Sequence, residues 1–247
     1  MKSLSIARGV FVTGTDTGVG KTVVAAALAL LLKRQGFSVG VMKPVETGVS
    51  TSGQARCDAA RLQTIVESDD ALGAICPFQF ALPLAPHAAA QAERRQIDPG
   101  TIHKVYRLLS RRYDFMVTEG IGGVHVPLGA SIEILDLIAQ MKLPVIVVGR
   151  SKLGGINHAL LTLEALKRRK LPIAALVLNQ TDAGRSKLDR LQERATVELL
   201  RRKASVPVLG PLPYRSTLSK QFRRSIMKLA QSAAIKKLAN IVRRAAK

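Results

Sequence analysis

The chain is short of acidic residues, aromatic rings, cysteine and long apolar runs, and each shortage narrows what it can be. Only two of its 247 residues are cysteine, Cys57 and Cys76. They form neither a CxxC pair nor a metal-type cluster, so the sequence offers no disulfide framework and no zinc module, and a reduced, cytoplasmic setting is expected. No uninterrupted apolar run approaches the roughly 18 residues that a membrane-spanning helix needs. The opening Met1-Lys2-Ser3-Leu4-Ser5 runs almost at once into strand-like sequence, and no secretory signal is expected. The four histidines, His87, His103, His125 and His158, lack zinc-type spacing and are expected to be structural. Acidic residues number 17 against 38 basic ones, a net charge of +21, and the imbalance is uneven: +4 over residues 1–150 and +17 over residues 151–247. Such an excess suits nucleic acid or an anionic membrane. Here it is scattered along helices, in a chain with 4% aromatic residues, and has no aromatic interleaving for base stacking. A solvated basic surface is the expected reading.

What is present is alternation. Apolar, β-branched runs at residues 10–13, 38–42, 115–118, 144–148, 173–178 and 206–209 read as strands. Helical periodicity falls between them at 21–35, 58–67, 101–112, 132–141, 156–169 and 186–202. Strands without polar alternation are buried on both faces. The pattern therefore predicts an α/β three-layer fold, with a mostly parallel central sheet flanked by helices, as a single domain over 1–247. A last helical stretch from 218 to about 244 places Phe222, Ile226, Leu229, Ala233, Leu238 and Val242 near one face. It belongs to a basic segment, about 215–247, whose ten basic residues are expected to face solvent. Residues 49–56 read as a mobile loop and 76–92, with Pro77, Pro83 and Pro86, as an ordered irregular loop.

The most informative stretch is Gly14-Thr15-Asp16-Thr17-Gly18-Val19-Gly20-Lys21-Thr22. A strand, a glycine-rich turn and a helix start make a phosphate cradle, because peptide N–H groups and the helix dipole both favour an anion. Lys21 would reach the terminal phosphates and the Thr22 hydroxyl would ligate Mg²⁺. Five residues separate Gly14 from Gly20, one more than in the usual P-loop. Further polar motifs sit where other strands end. Lys43-Pro44-Val45-Glu46-Thr47-Gly48 would bring a second positive charge beside the γ-phosphate. Glu119, before Gly120-Ile121-Gly122-Gly123, takes the place of the second Mg²⁺ ligand of P-loop enzymes. Lys152-Leu153-Gly154-Gly155-Ile156-Asn157-His158 opens a second helix with glycines, hence a second anion site. Asn179 carries a donor and an acceptor that suit an adenine edge.

Together with Cys57-Asp58-Ala59 and Ala85-Pro86-His87, these motifs resemble the dethiobiotin synthetase family, in family order from about residue 8 to about 214 and with the same five-residue P-loop spacing. The resemblance implies a P-loop NTPase-like α/β fold and an enzyme of biotin synthesis that works as a homodimer with active sites at the dimer interface. One amine of 7,8-diaminopelargonic acid takes up CO₂ as a carbamate. The carbamate attacks the γ-phosphate of ATP, and the second amine closes the ring with release of phosphate. The absence of a Ser-His-Asp or Cys-His pattern agrees with a substrate that brings its own nucleophile. By the same resemblance, Asp16, Thr17, Gly18, Val19, Gly20, Lys21 and Thr22 would wrap the phosphates. Asn179 would read adenine, with Pro213 and Tyr214 covering it. Thr22, Asp58 and Glu119 would hold Mg²⁺, and Lys21 and Lys43 would be the catalytic charges. Thr17, Lys43 and Thr47 would line the diamine and carbamate site, while Gly155, Ile156 and Asn157 of the partner subunit would hold the substrate carboxylate. No specific nucleic-acid or membrane partner is implied.

The alternative is a partition- or division-site-type P-loop ATPase that binds DNA or membrane. Its P-loop carries a signature lysine five positions before the P-loop lysine, and this chain has Asp16 there. An amidoligase of cobalamin synthesis would need a glutamine amidotransferase domain with a nucleophilic cysteine, for which the chain has no room.

Overall fold

A computed structural model describes residues 8–50, 57–183 and 186–245. Six strands form one parallel sheet: β1 (Arg8–Gly14), β2 (Val39–Met42), β5 (Phe115–Glu119), β6 (Val145–Arg150), β7 (Ile173–Asn179) and β8 (Val208–Leu212). Their order across the sheet is β2-β5-β1-β6-β7-β8. Val10, Val12, Val117, Ile146 and Val148 point to one face and Phe11, Met116, Val145 and Val147 to the other, all buried. Two apolar faces on each strand are what a parallel sheet covered on both sides requires.

Helices α1 (Lys21–Arg34), α2 (Asp58–Val66), α9 (Phe222–Ala230) and α10 (Ala233–Ala245) cover the first face. The short α4 (Pro86–Ala92) and helices α5 (Pro99–Ser110), α6 (Ile134–Met141), α7 (Gly155–Arg168) and α8 (Lys187–Lys203) cover the second. Helix α1 is apolar nearly all round because it lies between the sheet and the C-terminal helices, and ten of its residues are buried. Helix starts follow local chemistry. Asp98 accepts from the N–H groups of Gly100 and Thr101, with Pro99 in the first turn of α5. Ser186 and Asp189 cap α8 reciprocally.

The sheet places the polar motifs. Central strand β1 pairs with β5 so that Val12 lies opposite Glu119, and with β6 so that Gly14 lies opposite Val148. The carboxyl ends of β1, β2 and β5 therefore meet at one point.

Three expectations are corrected. The stretch 76–92 is irregular only at 76–77 and 81–85. It holds β4 (Phe78–Phe80), which pairs in parallel with β3 (Val45–Thr47) as a separate two-stranded sheet, and α4, which begins at Pro86. A proline at the first helical position starts a helix rather than breaking one, because its missing N–H would have no partner there. The last helical stretch is two helices. Residues 216–220 form turns, Thr217 sharing a hydroxyl contact of 2.9 Å with Ser225 of α9, and the chain turns again at Gln231–Ser232 before α10. Serine and threonine satisfy nearby groups with their own side chains, in competition with the helix. Ala233 is exposed, and the inward face of α10 is Ile235, Leu238, Ala239 and Val242. The expectation for 49–56 lies mostly outside the described residues. Of the ten basic C-terminal residues, Arg215 is half-buried and Lys247 lies outside the described side chains; the other eight are exposed. They are not all idle. Arg243 stacks over the Phe37 ring at 5.4 Å, and Arg223 pairs with Glu67, which also accepts from Lys33 at 2.8 Å.

Two outcomes test this packing. Leu238→Ala, at a site with 0% exposure, should cost about 2–5 kcal/mol in a urea titration, whereas Met227→Ala, at 41% exposure, should stay within about 0.5 kcal/mol of wild type. Hydrogen bonds from Lys33 and then Arg223 pull the Glu67 carboxyl from 4.5 down to about 2. A depressed carboxylate stabilises the fold above its unfolded pKa and loses that contribution as pH falls through its folded one. The thermal stability difference between wild type and Glu67→Gln should therefore be full above about pH 4.5 and vanish near pH 2; a difference that is constant across that range would refute the linkage.

Candidate active site

Residues 14–22 form the expected turn into α1. The Thr15 N–H bonds the Val148 carbonyl at 2.9 Å, which anchors the loop to β6. Gly20 is the N-cap of α1 with φ +97°, and a Cβ there would stand 2.2 Å from Asn179 Nδ2. Only glycine serves both demands. Asn179, at the end of β7, donates to the Val19 carbonyl at 3.1 Å. It supports the loop from below. Arg150, at the end of β6, donates to Asp16 Oδ2 at 2.7 Å, while Asp16 Oδ1 accepts from the Thr17 N–H at 2.7 Å. Lys21 curls back over the loop, its Nζ donating to the Asp16 carbonyl at 2.9 Å.

Beside this loop the structure brings together the residues singled out at three other points of the sequence. Lys43 Nζ lies 2.6 Å from Glu119 Oε1, 3.3 Å from Asp58 Oδ2 and 3.2 Å from the Gly120 carbonyl. The Thr22 hydroxyl donates to the same Glu119 oxygen at 2.9 Å. Lys43 and Glu119 are both buried. Burial alone would lower the Lys43 ammonium, but the Glu119 and Asp58 carboxylates outweigh it and hold it above the ordinary lysine value. Lys21 has no such partner. Burial, and then repulsion from Lys43, lower it to about 8. Burial pushes Glu119 up against the pull of Lys43. Lys43 is thus matched by carboxylates inside the cleft, whereas the Lys21 ammonium bonds only a loop carbonyl.

The cleft measures about 770 Å³, and its walls include Thr17, Gly18, Gly20, Lys21, Thr22, Lys43, Thr47, Asp58 and Glu119. The remaining expected site residues stand elsewhere. Val19 is fully buried, with its carbonyl bonded by Asn179, and is not in the cleft wall. Pro213 and Tyr214 are exposed after β8, where the Tyr214 N–H bonds Gln180 Oε1 at 3.0 Å. Gly155, Ile156 and Asn157 open α7 after Gly154, at φ +84°, and are not in the walls of this chain's cleft.

The sequence reading missed several participants. Glu46 accepts from the Asp58 and Ala59 N–H groups at 2.5 and 3.1 Å. Arg61, one turn beyond Asp58, lies 3.6 Å from it and 5.3 Å over the Phe222 ring. Leu218, Ser219 and Phe222 form part of the cleft wall, so the C-terminal segment borders the site. Only the helical spacing of Arg61 from Asp58 was a readable signal. Cys57 and Cys76 are buried, and burial pushes both thiols up, away from the thiolate that a nucleophile needs.

The residues fit a nucleotide with a hard divalent cation. The α1 N-terminus offers unbonded peptide N–H groups to phosphate. Glu119 Oε2 is buried and accepts no hydrogen bond among the described residues. With the Thr22 hydroxyl and the Asp58 carboxylate it makes an all-oxygen donor set of the kind Mg²⁺ prefers alongside phosphate oxygens. No group of three or more His, Cys, Asp or Glu among the described residues is placed to hold a metal. The fit therefore depends on hydroxyl and phosphate oxygen completing the shell.

An AAA-domain family model matches residues 8–221. The ATP-dependent dethiobiotin synthetase BioD of Anaeromyxobacter dehalogenans (strain 2CP-C) is 49% identical over 174 residues, 70% of this chain and 77% of the relative. That of Thermodesulfovibrio yellowstonii is 37% identical over 221 residues, 86% and 91%. Among solved structures, the cell division ATPase MinD of Pyrococcus furiosus superposes with a TM-score of 0.58 at 19% identity, covering 97% of this chain and 100% of that one. At that identity the likeness extends to the fold alone.

Removing the Lys43 ammonium leaves the Glu119 carboxylate buried without its partner. Lys43→Ala should lose about 3–5 kcal/mol in chemical denaturation. Adding Glu119→Gln to it should recover part of the loss, and strict additivity of the two would contradict the buried pair.

Proposed function

The chain belongs to the AAA-domain family and to the ATP-dependent dethiobiotin synthetases, and on that premise we propose how its cleft carries out the family's reaction. The activity is the ATP-dependent formation of dethiobiotin from 7,8-diaminopelargonic acid and CO₂ in biotin biosynthesis. The observation that carries the site reading is the convergence of Lys21, Lys43, Thr22, Asp58 and Glu119 on one cleft.

The N–H groups from Asp16 to Thr22 hold the triphosphate, with Lys21 beside its β- and γ-phosphates. Thr22, Asp58 and Glu119 hold Mg²⁺, which when bound draws charge from the phosphate oxygens. Thr17, Thr47 and Lys43 orient the diamine and its carbamate. A carbamate oxygen then attacks the γ-phosphorus, and the bond to the bridging oxygen of ADP breaks. The Lys43 ammonium, kept protonated by its carboxylates, neutralises the carbamate and the transferring phosphoryl group. The second amine attacks the carbamoyl carbon, phosphate leaves, and the ureido ring closes. The protein supplies position and charge and forms no covalent intermediate of its own. Asn179 reads adenine through the part of its amide that Val19 does not use, and Pro213 and Tyr214 cover the base.

The substrate carboxylate is held by Gly155, Ile156 and Asn157 of a second copy, in a homodimer. Support for that reading comes from the α7 side of the molecule. Leu153 and Leu161 are 75% and 56% exposed there, and an apolar hollow of about 560 Å³ runs from Thr15 of the P-loop to Leu161. A cytoplasmic setting accords with the absence, among the described residues, of any helix long and apolar enough to cross a membrane.

A DNA- or membrane-stimulated ATPase is disfavoured by Asp16, whose carboxylate is committed to Arg150 where that class carries its signature lysine. The decisive assay is ADP release. It should require ATP, Mg²⁺, bicarbonate and 7,8-diaminopelargonic acid together, with dethiobiotin detected by mass. Hydrolysis driven by DNA or lipid vesicles and indifferent to the diamine would sink this reading.

A further inference from the structure

Glu46 has no part in the chemistry above, yet it is among the most committed side chains near the site. It is the middle residue of β3, only 7% exposed, and borders the cleft. Both its carboxylate oxygens are taken, one by the Asp58 N–H at 2.5 Å and the other by the Ala59 N–H at 3.1 Å. These are the first two peptide groups of α2, which have no acceptor inside their own helix. The next N–H, of Ala60, goes to Cys57 Sγ at 3.4 Å. A carboxylate in place of a neutral cap makes these bonds the stronger, charge-assisted kind and also suits the positive end of the helix dipole.

The geometry is that of a clamp between two elements. Glu46 lies three residues beyond Lys43, and Asp58 is the residue whose N–H it grips. The clamp therefore fixes the base of the Asp58 side chain to the same short segment that carries Lys43, and Asp58 Oδ2 meets Lys43 Nζ at 3.3 Å. We propose that Glu46 is a positioning residue: by holding the N–H groups of Asp58 and Ala59 it sets where the Asp58 carboxylate can meet a divalent cation. This rests on the reading of Asp58 as a metal ligand. Glu46 acts through the α2 N–H groups that its two oxygens hold, not as a ligand.

The test uses Mn²⁺ as the probe, bound to the full chain in the presence of ADP and counted by the electron paramagnetic resonance of the free ion, with no turnover involved. Glu46→Ala should weaken Mn²⁺ binding about 10-fold while ADP affinity without metal stays within about twofold. Glu46→Gln, which keeps one acceptor but turns an NH₂ toward the other N–H, should fall between, and it serves should the alanine variant fold poorly. Asp58→Asn should weaken Mn²⁺ by at least as much as Glu46→Ala. In the Asp58→Asn background, Glu46→Ala should change binding less than about twofold, since it acts through Asp58. Hydrogen exchange at the Asp58 and Ala59 amides should quicken in both Glu46 variants. An equal loss in both backgrounds would mean general loosening and overturn the clamp, as would unchanged Mn²⁺ binding in both Glu46 variants beside a weakened Asp58→Asn. Unchanged binding in Asp58→Asn would instead remove the metal reading of Asp58, and the clamp with it.

Discussion

An ammonium group buried between two carboxylates is the constraint on which the rest of this site depends. Taking a charge out of water costs several kcal/mol even after relaxation, so Lys43 can be buried only where Glu119 and Asp58 are held against it. Their contacts of 2.6 and 3.3 Å come from three separate parts of the chain: the end of β2, the end of β5 and the start of α2. Such an arrangement does little for net stability, since an apolar trio of the same volume would pack as well. Its value is positional. Once Lys43 is fixed, the carboxylates are fixed too, and the Thr22 hydroxyl joins them through a shared oxygen of Glu119.

The second ammonium completes the logic. Lys21 stands at the same end of the sheet, lowered to about 8 by burial and by Lys43, with only a loop carbonyl for a partner. A polyanion at this loop would ease the repulsion between the lysines and give the first peptide N–H groups of α1 acceptors. In the reading proposed above, charge fixed in advance in this way would stabilise a transferring phosphoryl group without reorganisation at the moment of reaction.

The sheet that makes this possible does not choose the reaction, because P-loop sheets serve switches and synthetases alike. Beyond its strand ends this chain has side chains of its own, such as Asp16 held by Arg150 at 2.7 Å. The basic C-terminal segment illustrates the difference between charge and site. Its apolar face packs on α1 and the sheet, most of its charges face solvent, and yet Leu218, Ser219 and Phe222 reach the cleft wall, with Arg61 of α2 resting on the Phe222 ring. Net charge alone pointed away from the chemistry, while the packing brings part of the segment to its edge.

The sequence by itself determined the alternation of strands and helices, the burial of the sheet on both faces and the phosphate loop. Each is encoded over a few neighbouring residues, as apolar period, glycine or capping chemistry. It also marked Lys43 and Glu119, because each lies at a strand end that punctuation reveals, whereas Asp58 stood out only through the resemblance to a known family. It misread 76–92 and 218–244, where prolines and hydroxyl side chains signal a break as readily as a beginning, and only packing against β3 or α1 decides between them. It gave no sign of the Glu46 clamp on α2, of Arg150 on Asp16, of Asn179 under Val19, or of Phe222 beside Arg61. Each of those pairs joins residues that are distant in sequence. Their meeting depends on which strands are neighbours in the sheet and which helices share a face, and that is fixed only when the whole core closes.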